Sequence, residues 1–161
     1  MSIILSGDNG VTFPNATVQA SSGVVLQVVS ANYGTVLNVS TSTFTDTGLT
    51  ASITPKFSTS KILVLINHSE VFKNADNSNN DIGFNLCRNG SQIVQFNSGL
   101  LYTATALRVG CSASYTYLDS PATTSSTAYK TQVKNGDNNG TSITVQGNNM
   151  PATITLMEIA G

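Results

Sequence analysis

Residues 82–97 read IGFNLCRNGSQIVQFN. On both sides of Asn89-Gly90 the chain is a short run of β-branched, aromatic and apolar residues at period two. Asn-Gly between two such runs is a strong two-residue hairpin signal. The same period recurs outward in both directions. VVLQVVS (24–30), TVLNVS (35–40), LTASITP (49–55) and KILVLINHSEVF (61–72) precede the hairpin; CSASYTYLD (111–119), TAYKTQVKN (127–135), TSITVQG (141–147) and ATITLMEIA (152–160) follow it. Such runs fit a half-buried pleated surface. Turn clusters separate them, among them NADNSNND, NGDNNG and GNNMP. No window carries a helical stripe. About ten short strands at this spacing predict an all-β antiparallel β-sandwich, with the jelly roll as leading topology.

The totals agree with one folded domain. The chain has 161 residues, of which 9% are charged and 40% hydrophobic, with a net charge of -1. Charged residues are about a third of the usual share, replaced by Ser, Thr and Asn. Near-zero net charge permits close association of copies. The basic residues Lys56, Lys61, Lys73, Arg88, Arg108, Lys130 and Lys134 are scattered singly, so no patch is placed to neutralise a phosphate backbone, and no nucleic-acid partner is expected. No apolar run approaches the ~20 residues of a membrane span, so no membrane insertion is expected. MSIILSGDNG lacks the basic n-region of a signal peptide, which favours synthesis in a cytosol. Cys87 and Cys111 lie in alternating runs and read as small buried thiols rather than a disulfide.

Chemistry-bearing patterns are weak. His68, the one histidine, lies in a strand with Glu70 two residues on, on the same face; no G-x-S-x-G elbow accompanies them, and the histidine reads as a surface or interface residue. Oxygen-bearing Asp76, Ser78 and Asn80 alternate as in a calcium loop, but Asp81 and Cys87 stand where an EF-hand needs Gly and Glu, so the tract reads as a solvated hairpin tip. Sequon matches such as Asn15-Ala16-Thr17 arise from composition. Neither a phosphate-binding loop nor a Cys/His metal spacing is present. No catalytic residue, cofactor or metal is expected.

Residues 1–23 stand apart. Their apolar residues, Ile3, Ile4, Leu5, Val11, Phe13 and Val18, are too sparse to bury a face alone, and ASSG (20–23) reads as a linker. The chain therefore divides into an N-terminal stem, 1–23, and a β-sandwich domain, 24–161. Those six residues are the expected attachment contacts.

GDNGVTFPNATVQASSG (7–23) resembles the G-x-x-G-[IV]-T-F-P-[DN]-x-T-x-Q segment of bacteriophage fibre and virion surface proteins. TSTFTDTGLTASITPKFSTSKILVLI (41–66), YLDSPATTSSTAYKTQVKN (117–135) and ITLMEIAG (154–161) resemble the C-terminal β domains that follow it there. The resemblance implies a jelly roll of the tumour-necrosis-factor-like kind, assembled as a homotrimer on the virion surface, with residues 1–23 as a short extended stem. Its implied partners are further copies of itself and the major capsid protein or another virion protein. Because the segment begins at Met1, with no shaft before it, a capsid decoration protein or head fibre is favoured. The alternative is a receptor-binding tail-fibre tip that engages host surface glycan, with Tyr102, Tyr115 and Tyr117 as candidate sugar contacts. A glycan-cleaving tailspike would need paired carboxylates, and the eight acidic residues fall mostly in turn tracts.

Overall fold

Period-two alternation carries through the computed structural model, which describes residues 4–6, 10–12, 23–74, 80–136 and 141–161. In chain order the strands are β1 (Ile4–Ser6), β2 (Gly10–Thr12), β3 (Val25–Tyr33), β4 (Leu37–Val39), β5 (Thr45–Ile53), β6 (Lys61–Lys73), β7 (Ile82–Arg88), β8 (Ser91–Leu100), β9 (Val109–Asp119), β10 (Thr127–Asn135), β11 (Ile143–Val145) and β12 (Ala152–Ile159). All ten expected strands are present. The 141–147 and 35–40 runs shorten to three residues each, because Gln146 leaves the extended region at φ 51 and Gly147–Asn149 form a single 3-10 turn. The opening stretch adds β1 and β2, which pair antiparallel with Leu5 opposite Val11.

Two antiparallel sheets face each other. One has the order β5-β10-β7-β8; the other runs β3-β12-β6 with β9 on the far edge of β6. Each consecutive long pair except β7-β8 crosses between sheets, and this interleaving is the jelly-roll topology. The 13-residue β6 is long enough to take two partners along one edge: β12 pairs with Lys61 to Asn67, and β11, followed by β4, with Phe72 and Lys73. Residues 68–71 lie between those ladders, and on the other edge the β9 register shifts between His68 and Val71, with Glu70 at φ 52. This bulge falls at the seam between the two half-sheets.

The Asn89-Gly90 turn is as expected, with φ 49 and 85. Asn89 Oδ1 also accepts the Ala128 N–H at 2.9 Å, which ties the turn to β10.

Inward-facing residues make the core. Leu49, Ala51 and Ile53 of β5, Leu86 and Tyr129 meet Ile62, Val64, Ile66, Ile154 and Leu156 from the opposite sheet. A second cluster near the other end joins Val39, Val71, Ile82, Phe84, Val133, Ile143 and Val145. Gly48 is required where it stands: its φ is +87, and the Tyr33 ring occupies the space a Cβ would take.

The two ends differ. At one, residues 34–44, 80–81, 101–108 and 146–151 gather with Asn74 and Gly136. Asn74 Nδ2 donates to the Ser142 carbonyl at 2.8 Å, Gly136 N to the Asp81 carbonyl at 2.9 Å, and Asn135 N to the Thr41 carbonyl at 3.0 Å. At the other lie the short connections 54–60, 89–90 and 120–126. There Gly23 N bonds the Ala160 carbonyl at 2.8 Å, which sets Gly23 at the short-loop end.

Candidate assembly surface

The strand register places side chains in rows across the outer face of the β3-β12-β6-β9 sheet. Val28, Met157, Leu63 and Leu118 stand directly opposite one another on four adjacent strands. Val28 is 54% and Leu118 49% exposed. Toward the long-loop end follow a row of Ser30, Thr155, Leu65 and Thr116, then a row of Asn32, Thr153, Asn67 and Ser114. These rows bond within themselves: Ser30 Oγ lies 3.1 Å from Thr155 Oγ1, and Ser114 Oγ donates to Asn67 Oδ1 at 2.8 Å. Toward the short-loop end stand Val25, Ile159 and Lys61, the last being the single charge among these positions. Beside Val25 opens a groove of about 360 Å³ lined by Val24, Leu26, Phe57, Thr59, Ala160 and Gly161.

The outer face of the other sheet is chemically different. Lys130 Nζ and Asp46 Oδ2 form an ion pair at 2.6 Å, and Gln132 Nε2 donates to Asp46 Oδ1 at 2.7 Å. The Lys130 hydrogen bond holds the Asp46 carboxyl below its usual range. Asn85 Nδ2 donates to Gln92 Oε1 at 3.0 Å, and Lys134 Nζ sits 5.1 Å from the Phe44 ring centre. That face is charged and hydrogen-bonded to itself.

The edges repeat the contrast. β8 is irregular, with three register shifts against β7. β3 contains no charged residue, and the one charge in β9, Asp119, is buried and bonded to Arg88 at 2.9 Å. Sheet edges exposed to water are ordinarily guarded by charges, prolines or bulges, because a regular bare edge recruits another chain. Lys56 Nζ reaches the β3 edge only at the Leu26 carbonyl, 3.3 Å away near the short-loop end, and an apolar row between edge strands without exposed charges of their own is a surface suited to burial against protein.

Several sequence expectations change. His68 is not a surface residue: it is 0% exposed, between the sheets, where Nε2 meets Thr131 Oγ1 at 3.0 Å and the ring stacks on Phe84 at 4.7 Å. Its expected companion Glu70 does not share its face, since the bulge between them breaks the alternation. Burial pushes the His68 imidazole down to about 4. Tyr115 and Tyr117 continue the stack, with Phe96 to Tyr115 at 4.9 Å and Tyr115 to Tyr117 at 6.4 Å, so they pack between the sheets. Tyr102, at the long-loop end, is 55% exposed. Cys87 and Cys111 are both free thiols, in different sheets.

Of the expected attachment residues, Ile4, Leu5 and Val11 fall in the β1-β2 ladder, while Ile3, Phe13 and Val18 lie outside the described residues. Asp76 and Ser78 lie outside them as well. Asn80 Nδ2 bonds Thr141 Oγ1, tying its connection to the one after β10.

The row Val28–Met157–Leu63–Leu118 was not singled out from the sequence, although a signal for it exists. VVLQVV, ILVLI and ITLM are apolar at both parities, the pattern of strands covered on both faces.

No protein-family model matches the chain, and no curated protein matches it. Among solved structures it is similar to the VP2 subviral particle of infectious bursal disease virus, at 15% identity and TM-score 0.40, over 96% of this chain and 45% of that one. It is also similar to the structure of the Gt strain of the same virus, at 16% identity and TM-score 0.34, over 99% of this chain and 47% of that one. The chain thus spans less than half the length of either, and at these TM-scores the likeness carries no argument.

Proposed function

We propose that the protein is a structural component of a bacteriophage virion: a homotrimeric knob on the particle surface, of the capsid-decoration or head-fibre kind, with no catalytic role. The observation that carries the self-association is the β3-β12-β6-β9 face, where Lys61 is the single charge in the rows described and neither edge strand carries an exposed charged side chain of its own. Burying apolar and small polar side chains with few charges at the centre is what a stable contact between copies requires. The virion role is supported by the fibre-like motifs in residues 7–23 and 41–66. Residues 1–23 are the attachment element in this reading. Support comes from the position of Gly23 at the short-loop end, opposite the long loops.

The test has two arms. Sedimentation equilibrium at micromolar concentration should give a trimer; a monomer refutes the assembly. A chain starting at Val24 should remain a cooperatively unfolding trimer that no longer binds particles. If that chain aggregates or loses its unfolding transition, residues 1–23 belong to the core instead. A receptor-binding tip engaging host glycan is the second reading, favoured by exposed Tyr102 at the end opposite Gly23. Electron microscopy of the intact virion separates the two by location.

A further inference from the structure

The polar chain around His68 fixes where its proton sits. Thr47 Oγ1 donates to the Thr131 carbonyl at 3.2 Å and accepts the Leu49 N–H at 3.2 Å. Its one proton is then used, so the 2.6 Å contact between the two threonine hydroxyls takes the proton of Thr131. Thr131 Oγ1 must in turn accept from His68 Nε2–H at 3.0 Å. The network therefore assigns the neutral Nε2–H tautomer. Nδ1 is left bare and buried, without a partner among the described residues. A bare acceptor is tolerated in a core more readily than an N–H with nothing to receive it.

Among the described residues, no acceptor is placed to receive a second proton at Nδ1. Thr47 of β5, Thr131 of β10, Phe84 of β7 and Ala113, opposite His68 on β9, are all uncharged. Cys111, two residues from Ala113 on the same face of β9, is a free thiol that burial keeps protonated, and other ionisable side chains directed inward are engaged elsewhere. Tyr129 bonds Asp119, which holds Arg88; Lys73 bonds Thr103; Glu158 bonds Gln27; and Tyr115 stacks between Phe96 and Tyr117. His68 also stands at the seam, where one edge of β6 passes from β12 to β11 and the other carries the bulge.

We propose that His68 is an acid-sensitive latch: protonation at Nδ1 places an unpaired cation between the sheets at the seam and loosens the long-loop half of the sandwich while the short-loop half stays closed. The latch is independent of the virion role. The sign follows from linkage. The native imidazole, at about 4, lies below its unfolded value of 6.5, so between those values the unfolded chain binds more protons. Stability is complete above pH 6.5 and falls as pH drops toward 4. The folding equilibrium loses roughly 300-fold once both states are protonated. Asp46 and Glu158, whose carboxyls are held low, add their losses only toward the acid end of that window.

The test uses the one imidazole in the chain, which makes its nitrogen resonances unambiguous. In ¹⁵N-labelled protein they should report the Nε2–H tautomer and stay neutral to below pH 5. The melting temperature should fall between pH 6.5 and 4, and amide exchange in β11 should accelerate before that at Lys61 to Leu65. His68→Gln and His68→Phe should lack this fall. A native imidazole titrating near 6.5, or a folded variant that keeps the same acid limb, overturns the proposal. Should neither variant fold, the wild-type titration decides alone: below pH 5 it sustains the latch, near 6.5 it overturns it.

Discussion

Asp119 ties the sheets together at the short-loop end. It closes β9 in one sheet; in the other, Tyr129 of β10 donates its phenol to Oδ2 at 2.6 Å, and Arg88 Nη1 of β7 lies 2.9 Å from both oxygens. Burial, then the carboxylate at its hydroxyl, pushes the Tyr129 phenol far above its ordinary value, so it remains a donor at any working pH. Removing that hydroxyl as Tyr129→Phe leaves a buried carboxylate one donor short, and we expect a loss of about 2 kcal/mol in urea unfolding. A change below about 0.5 kcal/mol would show that the hydroxyl contributes nothing net. The inward positions of these residues were legible from alternation. Their partnership was not, because a hydrogen bond across 31 positions, such as that of Arg88 to Asp119, leaves no local trace.

At the scale of elements, the connection 101–108 is held from outside itself. Lys73, the last residue of β6, is fully buried, and its Nζ donates to Thr103 Oγ1 and to the carbonyls of Thr103 at 3.1 Å and Thr105 at 3.4 Å. That connection, LYTATALR, lacks the Gly, Pro, Asn and Asp that shape most turns, so its form depends on the lysine. Lys73→Met should therefore keep the fold, with a melting temperature lower by a few degrees, while proteolytic cleavage within 101–108 speeds up by roughly tenfold or more. Cleavage at the wild-type rate would mean that the loop holds its own shape. The strands themselves were read well: 127–135 is matched residue for residue, and β5 and β8 are each longer than expected. The inward lysine, the bulge at Glu70 and the division of one β6 edge between β12 and β11 were not read. Each reverses or interrupts a period that sequence reading extends unbroken.

For the whole molecule, the proposed assembly turns on the difference between the two outer faces. Leu63→Lys or Met157→Lys puts a charge in the centre of the apolar row without touching the core, since both side chains point away from it. Such variants should fold with near wild-type melting curves and sediment as monomers, because an unpaired charge at the centre of a contact is strongly unfavourable. Gln132→Lys, on the opposite and already charged face, should leave the assembly intact. Wild-type assembly by Leu63→Lys would exclude this face as the contact.

The sequence alone determined the class of this protein. Period-two patterning and turn residues act over a few positions, so they declare strands, hairpins and an antiparallel sandwich wherever they occur, as Asn89-Gly90 does. It also determined what the surface lacks, since the scarcity of charge is a property of composition. Tertiary structure alone decided which strands became neighbours. That choice aligned Val28, Met157, Leu63 and Leu118 from four distant segments into one row, and sealed His68 against Thr131 and Phe84. The reason is physical: register and sheet order arise from pairing across long stretches of chain, and only the folded sandwich fixes which of two apolar strand faces meets the core and which meets solvent or another molecule.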